Sequence, residues 1–496
     1  MEKKSGEEKK MRQGHNPYLP EYEYIPDGEP HVFGNRVYVY GSHDRFGGKK
    51  FCLNDYVCYS APVTDLTNWG YEGVIYRKTQ DARMKDGTHE LWAPDVVCGK
   101  DGRYYLYYCP DDTIRSIGVA VCDTPAGQYE FLGIVSDKEG NAVGERPGDT
   151  IAFDPGIFID DDGEIYLYSG NGPRTKSSIG KEPKASVVMR LEDDMVTIKT
   201  EPKKLLPVLG ESEGTGFEGH EFFEASSIRK ISGMYYLVYS SCNLHELCYA
   251  VSERPDGGYR YGGVIVSNCD VFPGTDRTRR KNCFGNNHGG IECINGEWYV
   301  FYHRPTNRSM FSRQGCVEKI QIRPDGRIRQ VEMTSQGANG KPLKGEGVYP
   351  ASMVCNLYGK KEPAIAHPLA MGRAHPYLTQ DGPDFDVEEM KTPPRQYIKN
   401  GKNGFTAVFR YFEWNTKNVQ IGVKIRGNMR GTFVVRTEEN GKPIGKIEVN
   451  PAKTWTWYEG SGTINPGVHA LYFCYEGRGK FDLLEIKLAK EVPYGV

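Results

Sequence analysis

Three carboxylates of this sequence lie in apolar or aromatic surroundings, where an unpaired charge is costly. They are Asp27, which follows Ile25-Pro26, Asp154, which follows Phe153, and Glu224, which follows Phe222-Phe223. Cleavage of a glycosidic bond needs two carboxyls in opposite protonation states. One is ionised and activates water, and the other is protonated and donates its proton to the leaving oxygen. A third carboxylate beside the acid would raise its pKa. The alternative interpretation is that all three are turn or cap residues.

The elements that would position these acids recur along the chain. A glycine turn followed by an aromatic, alternating strand occurs five times, at residues 34–40, 101–107, 162–168, 232–239 and 295–302. The anchor tyrosines of these hairpins are spaced by 67, 61, 70 and 63 residues. One hairpin cannot bury its apolar face alone, and radial repetition of such units solves this problem. The spacing predicts a five-bladed β-propeller, with an irregular sandwich as the alternative.

The repeat stops near residue 325, and a second unit of alternating strands follows a Gly- and Lys-rich stretch. We therefore divide the chain into a charged N-terminal tail (1–16), a propeller catalytic domain (17–332), a linker (333–347) and a β-sandwich of the jelly-roll type (348–496). Long amphipathic helices are missing from both halves. The predicted fold class is all-β.

Composition excludes several classes of function. The 496 residues carry 63 Lys plus Arg and 65 Asp plus Glu, a net charge of -2, which argues against nucleic acid as a partner. No apolar run reaches the roughly 20 residues of a membrane span. The thirteen cysteines form no CxxC pair, and residues 1–17 contain no apolar signal region. These features predict a cytoplasmic protein that is not bound to a membrane.

Three segments resemble glycoside hydrolase family 43: the sequence around Asp27, the sequence around Asp154 and the Phe-Glu-Ala-Ser motif of Glu224. Leu91-Trp92-Ala93-Pro94-Asp95-Val96 adds to the resemblance. Members of that family are five-bladed propellers with an inverting mechanism. The resemblance implies that Asp27 is the general base, Asp154 the residue that modulates the pKa of the acid, and Glu224 the general acid. Glu29, which precedes Pro30, is the alternative base.

The same resemblance assigns three further residues to the substrate site. His288, in Asn287-His288-Gly289-Gly290, matches a histidine that holds a calcium ion in the propeller channel or orders the site by hydrogen bonds. Arg313 matches a sugar-contacting arginine whose fork can hold a hydroxyl and a carboxylate together. Trp92 matches a wall on which a sugar ring stacks. Structural roles are the alternatives, and His43 with Asp44 is expected to support the site.

The C-terminal unit resembles a family 6 carbohydrate-binding module, through the strand at 467–473 and Lys480-Phe481-Asp482-Leu483. Trp455, Trp457 and Tyr475 are the aromatic candidates for sugar binding there. The usual asparagine near the last strand is replaced around Lys480. The alternative role of this domain is to cover the propeller or to shape its substrate pocket.

Together these features predict an inverting exo-glycoside hydrolase that removes terminal α-L-arabinofuranosyl residues from arabinoxylan-derived oligosaccharides. A β-D-xylosidase, or an enzyme with both activities, is the first alternative. A sugar-binding propeller without catalysis and a protein-interaction propeller are the others. One calcium ion at His288 is the expected cofactor, and a pentose-containing oligosaccharide is the expected partner.

Overall fold

The computed structural model of the protein describes residues 14–111, 113–386 and 392–490. Most of the predicted N-terminal tail lies outside these residues. Within them the regular secondary structure is almost entirely β-strand, with one α-helix, α1 (Pro368–Met371). Short 3-10 turns are found at Lys78–Gln80, Ala82–Met84, Lys176–Ser178, Gly337–Asn339 and Ala351–Met353. No helix in the described part of the chain is long and apolar enough to cross a membrane.

Five small antiparallel sheets form the first domain. Blade 1 contains β1 (Glu29–Phe33), β2 (Arg36–Tyr40), β3 (Tyr56–Pro62) and β4 (Gly70–Tyr76). Blade 2 contains β5 (Leu91–Cys98), β6 (Tyr104–Pro110), β7 (Gly118–Cys122) and β8 (Glu130–Ile134). Blade 3 contains β9 (Gly156–Ile159), β10 (Ile165–Gly170), β11 (Ser186–Leu191) and β12 (Lys203–Lys204). Blade 4 contains β13 (Phe222–Ile231), β14 (Met234–Ser241), β15 (Glu246–Ser252) and β16 (Arg260–Ser267), and blade 5 contains β17 (Ile291–Ile294), β18 (Glu297–Thr306) and β19 (Ser309–Ile320).

The repeated hairpins of the sequence are the first two strands of each blade. Their turn glycines all have positive φ, which glycine adopts without steric cost. In blades 4 and 5 the two-residue turns Ser232-Gly233 and Asn295-Gly296 have positive φ at both positions, the geometry that matches the twist of paired strands. The first strands β1, β5, β9, β13 and β17 contact one another in a closed ring. The predicted five-bladed propeller is confirmed.

A side chain near the N-terminus helps to close the propeller at blade 5. The carboxamide of Asn16 donates to the carbonyl of Val317 at 3.0 Å and accepts from the N–H of the same residue at 2.9 Å. It therefore pairs with β19 much as a neighbouring strand would. This contact joins the beginning of the described chain to the last strand of the propeller.

The second domain is one curled sheet that closes on a single apolar core. Its early strands are β20 (Leu343–Lys344), β21 (Gly347–Pro350), β22 (Asn356–Tyr358), β23 (Tyr377–Gln380), β24 (Gln396–Gly401) and β25 (Phe405–Trp414). Its later strands are β26 (Asn418–Gly427), β27 (Arg430–Arg436), β28 (Pro443–Val449), β29 (Ala452–Thr463), β30 (Gly467–Arg478) and β31 (Phe481–Lys490). The predicted β-sandwich after the propeller agrees with this arrangement.

The two domains share a buried boundary. Arg410 of β25 lies 2.9 Å from Asp270 and 2.6 Å from Glu332. Tyr302 of blade 5 and Val408 of β25 belong to the same apolar cluster. The stretch predicted as a linker, 333–347, contains β20, which pairs in parallel with β25. The second domain is therefore packed firmly against the propeller.

Candidate active site

The three carboxylates singled out by the sequence line one open pocket of about 670 Å³, a volume that includes the space at its mouth. Asp27 and Asp154 lie two residues before β1 and β9, and Glu224 lies near the start of β13. Trp92, at the start of β5, and His288, just before β17, line the same pocket. Because the first strands form a ring, residues at their starts converge from all five blades.

Backbone irregularities direct the acids into the pocket. Asp27 and Asp154 have φ values of 56° and 46°, in the left-handed region that aspartate tolerates better than most other residues. The pairing of β13 with β14 shifts register on both sides of Glu224, and Ala225 has a φ of 71°. A β-bulge of this kind redirects a side chain. Such strained positions cluster at functional sites, where surrounding contacts maintain them.

Asp27 is held in its ionised form by a buried arginine. Nη1 of Arg313 lies 2.8 Å from Oδ1 of Asp27, and Nδ1 of His303 lies 3.2 Å from the same oxygen. Burial alone would raise the pKa of Asp27, but the charge of Arg313 and the neighbouring imidazoles outweigh it and lower the pKa far below its usual range. Asp27 is therefore ionised at any ordinary pH, the state that a general base needs.

Arg313 bridges two carboxylates. Its Nε and Nη2 donate to Asp44 at 2.9 and 3.0 Å, Nη2 also contacts the sulfur of Cys52, and Nη1 donates to Asp27. A guanidinium has five N–H donors, so these four hydrogen bonds leave one on Nη1. The predicted contact with a carboxylate is present, and the remaining donor suits a sugar hydroxyl. Asp44 fixes the orientation of the Arg313 guanidinium, which agrees with the supporting role expected for Asp44.

Asp154 and Glu224 form a coupled pair of carboxyls that retain protons. Burial and the charge of Glu224 raise the pKa of Asp154 well above its usual value. Burial, reinforced by the charge of Asp27, raises the pKa of Glu224 to about 7. Coupled carboxyls titrate as a pair, so near neutral pH this pair holds at least one proton. The pocket thus contains an ionised and a protonated carboxyl, the combination that acid–base cleavage of a glycoside needs.

Two amides that the sequence did not single out hold the Glu224 carboxyl. Nδ2 of Asn286 donates to Oε1 and Nδ2 of Asn171 donates to Oε2, both at 3.3 Å. Nζ of Lys184 donates to Oδ1 of Asn171 at 2.6 Å. An ammonium group only donates, so the amide oxygen must face Lys184 and the amide NH₂ must face Glu224. Lys184 therefore fixes the orientation of Asn171.

Replacing Lys184 with methionine is expected to move the alkaline limb of activity to higher pH by about 0.5 to 1 unit, the equivalent of one hydrogen bond. Without Nζ the Asn171 amide can turn its oxygen toward Glu224, which favours the protonated carboxyl and raises its pKa. The measurement is kcat/KM as a function of pH. Lys181→Met, at an exposed lysine of the same loop, is the control. Equal profiles for the two variants would contradict this orienting role.

Aromatic rings wall the pocket. Trp92 is half-buried and lies edge-on to Phe153 and Phe51, with centroid distances of 5.3 and 6.2 Å. Phe51 also lies 4.9 Å from the guanidinium carbon of Arg313. Nε1 of Trp92 is buried without a hydrogen-bond partner among the described residues. The other apolar lining residues are Cys52, Ala93, Phe223, Leu244 and Met310.

The C-terminal domain holds three loops that carry pocket residues. Its residues 364–386, called the rim segment below, supply the contacts. Ala366 donates to the carbonyl of Phe284 at 2.7 Å, just before the loop of Asn286 and His288. Leu378 accepts from the N–H of Asn307 at 2.7 Å, in the turn before Met310. Asp384 accepts from a backbone N–H in the loop that leads to Phe51.

His288 lies between two of the acids. Its Nδ1 is 3.6 Å from Oδ2 of Asp154 and 3.9 Å from Oδ1 of Asp27. Burial lowers the pKa of His288 to about 4, and the nearby His303 and Arg313 add to this effect. The imidazole is therefore neutral at the bottom of the pocket, where it can exchange hydrogen bonds with a substrate or with water.

The residues near His288 do not match a calcium site well. Calcium takes six to eight oxygen ligands. Oδ1 of Asp95 lies 2.7 Å from Nε2 of His31, and Glu29 lies 2.8 Å from a nitrogen of Arg229. These carboxylates are already paired. The calcium ion stays a prediction, which metal analysis of the purified protein would check.

Glu29, the alternative base, does not line the pocket. Its Oε1 accepts from the hydroxyl of Ser227 at 2.8 Å and pairs with Arg229. The geometry therefore favours Asp27 over Glu29 as the group that faces a substrate.

The sequence profile of glycosyl hydrolases family 43 matches residues 25–328, more than half of the chain and nearly the whole propeller. The chain belongs to glycosyl hydrolase family 43. This family 43 glycosidase is 50% identical over 485 residues to a xylosidase/arabinosidase of Thermoclostridium stercorarium, covering 97% of this chain and 100% of that protein. It is 27% identical over 513 residues to an arabinoxylan arabinofuranohydrolase of Paenibacillus polymyxa, covering 95% of this chain and 72% of that protein.

A solved structure supports the fold of the family 43 domain. The GH43_1 enzyme from Xanthomonas citri complexed with xylose has a TM-score of 0.51 and 23% sequence identity. The match covers 66% of this chain and 95% of the Xanthomonas citri chain. At this identity the likeness concerns the fold alone.

The comparisons do not confirm the resemblance of the C-terminal domain to a family 6 carbohydrate-binding module. Tyr475 is buried in the core of that domain and cannot stack on a sugar there. Trp455 and Trp457 are half-buried on β29, where cationic side chains lie over their rings. Sugar binding by these two tryptophans stays a prediction.

The sequence identified the acids themselves but not the residues that orient the Glu224 carboxyl and change its pKa. Asn171 and Lys184 lie in irregular loops of blade 3, and no periodicity marks them. Asn286 had one usable signal, its position two residues before His288. Such groups become visible only when the fold brings distant loops together.

Proposed function

We propose that this family 43 glycosidase is an inverting exo-enzyme that removes terminal α-L-arabinofuranosyl residues from arabinoxylan-derived oligosaccharides. The observation that carries the proposal is the pairing, in one aromatic-walled pocket, of an ionised Asp27 with a Glu224 whose pKa is raised to about 7. The names of the two relatives support the pentoside substrate class.

In the proposed mechanism, hydrolysis occurs by a single displacement. Glu224 donates its proton to the glycosidic oxygen as the bond from that oxygen to the anomeric carbon breaks. On the opposite face of the sugar, Asp27 accepts a proton from the water whose oxygen forms the new bond to that carbon. The configuration of the anomeric carbon is thereby inverted. Arg313 keeps Asp27 ionised, and Asp154 helps to keep a proton on the Asp154–Glu224 pair, because ionising both carboxyls would place two negative charges side by side.

The walls of the pocket support exo action. Phe51, Trp92 and Phe223 enclose the acids, and the exposed Arg174 lies among the lining residues. A terminal sugar can enter such a pocket, whereas the middle of a polysaccharide chain needs an open cleft. Action on short oligosaccharides inside the cell stays part of this proposal.

A β-D-xylosidase, or an enzyme with both activities, is the second candidate, because the relative that is 50% identical is named for both. We expect kcat/KM for an aryl α-L-arabinofuranoside to exceed that for the aryl β-D-xyloside by at least about tenfold, the usual discrimination by a small shape difference in a pocket. Proton NMR of the first product would establish inversion. Equal rates would remove the arabinoside preference, and no turnover of either substrate would favour a sugar-binding propeller.

Asp154→Asn is expected to move the alkaline limb of kcat/KM to lower pH. Asp154 and Glu224 hold at least one proton between them near neutral pH, and losing it places two negative charges side by side. Without the Asp154 carboxyl this repulsion is absent, so the pKa of the acid falls and the protonated form is lost earlier as pH rises. Asp160→Asn serves as the control, because Asp160 lies in the same blade but pairs with Lys230 at 2.6 Å. An unchanged limb in Asp154→Asn would remove this residue from its proposed role.

A further inference from the structure

A second group of ligand-type side chains lies where blade 1 meets the C-terminal domain. Glu23 precedes β1, His43 follows β2, and Asp386 ends the rim segment. Oε2 of Glu23, Nε2 of His43 and Oδ2 of Asp386 all lie within 4.8 Å of one another. None of these residues lines the substrate pocket, so the catalytic proposal does not account for them.

The ring of His43 is oriented as metal-binding histidines usually are. Its Nδ1 lies 2.9 Å from the backbone carbonyl of Asp55. A carbonyl only accepts, so Nδ1 carries a hydrogen and Nε2 is the nitrogen that faces the carboxylates. Nε2 lies 3.1 Å from Oδ2 of Asp386 and 3.8 Å from Oε2 of Glu23. Burial would lower the pKa of His43, but the hydrogen bond to Asp386 and the charge of Glu23 outweigh it and raise the pKa to about 9, so without an ion Nε2 carries a proton that a bound metal would displace. Three potential donors therefore point at a common centre.

Glu23 provides an independent sign that a partner is missing. The residue is 5% exposed, and its Oε2 has no hydrogen-bond partner among the described residues, although the Tyr59 hydroxyl lies beside the same carboxyl. The nearest cationic group, Nε2 of His43, is 3.8 Å away, beyond hydrogen-bond distance. An unsatisfied buried carboxylate oxygen is costly. Asp384 adds a further negative charge nearby, but its oxygens accept from backbone N–H groups of Phe46 and Asp386.

Two other groups of ligand-type side chains in the described residues have no such unpartnered buried carboxylate oxygen. In one, Glu246 accepts hydrogen bonds from Ser241, Asn243 and His220 on the same oxygen. In the other, Glu29 is neutralised by Arg229. Only the Glu23 group, among those found in the described residues, combines an oriented imidazole with an unpartnered buried oxygen.

We propose that Glu23, His43 and Asp386 bind one divalent transition-metal ion, with Zn²⁺ as the best-fitting occupant. Tetrahedral zinc with bonds of about 2.0–2.1 Å places its ligand atoms roughly 3.3 Å apart, and the observed distances of 3.1 and 3.8 Å lie on either side of that value. One nitrogen and two carboxylate ligands suit zinc, whereas calcium and magnesium prefer oxygen alone. The partly exposed Asp386 leaves an entry path and room for a water ligand.

Such an ion would join the segment before β1, the loop after β2 and the C-terminal domain. Metal binding to the folded state alone stabilises that state. The ion would therefore tie together the two domains beside the rim segment, without taking part in the hydrolysis.

The test uses the full-length, untagged protein, treated with a chelator and then dialysed. We expect calorimetric titration with ZnCl₂ to show one equivalent bound and the Tm to rise by several degrees on addition of zinc. His43→Gln and Asp386→Asn are expected to lose both effects. His220→Gln, at a histidine of the Glu246 group, is the matched control and should keep them.

Two results would overturn the proposal. One is a wild-type protein that binds no zinc and shows no change in Tm, which would mean that a protonated His43 bridges the carboxylates by itself. The other is zinc binding of equal stoichiometry in wild type and in Asp386→Asn. Asp386 is partly exposed, so its variant remains informative even if His43→Gln does not fold.

Discussion

Glu224→Gln is expected to lower kcat by about 10³-fold on arabinoxylan oligosaccharides, within the range that a general acid contributes. Glutamine keeps the size of the side chain and can accept one of the two hydrogen bonds that Asn171 and Asn286 donate, but it has no proton to give to the leaving oxygen. The loss should be much smaller on aryl glycosides with a good leaving group, which departs without protonation. Steady-state kinetics on both substrates would measure the difference.

Glu29→Gln is the matched control for this prediction, because Glu29 is another buried carboxyl of a first strand that lies outside the pocket. It should keep most of the activity on both substrates. A Glu224→Gln enzyme with near wild-type turnover of oligosaccharides would show that the acid is a different group. So would an equal loss on both classes of substrate.

Arg313→Met is expected to lower both stability and activity. Removing this guanidinium leaves Asp27 and Asp44 buried without their main partner, and breaking a buried ion pair in this way costs about 3–5 kcal/mol. The pKa of Asp27 should rise, because burial is then no longer outweighed, so the acidic limb of kcat/KM should move to higher pH. Thermal unfolding and pH–rate profiles would measure the two effects.

The stability loss in Arg313→Met should itself depend on pH. A carboxyl whose pKa is lowered by folding stabilises the protein above its unfolded pKa of about 4, and this contribution disappears as pH falls further. The difference in Tm between wild type and variant should therefore be largest near neutral pH and narrow in acid. A constant difference would mean that lost packing, rather than the charge on Asp27, explains the instability.

Arg229→Met separates stability from catalysis. Arg229 is also largely buried and pairs with Glu29 and Glu292 at 2.8 and 3.1 Å, outside the pocket. Its loss should destabilise the protein to a similar degree and leave the acidic limb in place. If both arginine variants shift that limb equally, Arg313 has no special link to Asp27.

Much of the fold was predictable because it follows local rules that repeat. Each blade needs a tight turn with positive φ, and glycine at Gly34, Gly102, Gly163, Gly233 and Gly296 marks that turn in the sequence. Apolar alternation then identifies the strands. The fusion of the second domain into one curled sheet was less visible, since it depends on long-range pairing such as that of β24 with β31.

The acids of the site were predictable, but their environment was not. Asp27, Asp154 and Glu224 lie in apolar sequence, which is a local signal. The amides of Asn171 and Asn286, which hold Glu224, come from loops 53 and 62 residues away. Nothing in the sequence near either residue indicates that it contacts Glu224. The bridge from Arg313 to Asp44 likewise spans 269 residues. Residues so far apart in the sequence come into contact only because the first strands of the blades form a closed ring.

The hydrogen bonds from the rim segment bear on how this protein can evolve. Loops that enclose the sugar are anchored to a domain that contributes none of the pocket lining itself. Recombination that exchanged the C-terminal half for another module would leave those loops without their anchors. A change in substrate preference can therefore arise from substitutions in the half that supplies no residue to the pocket lining.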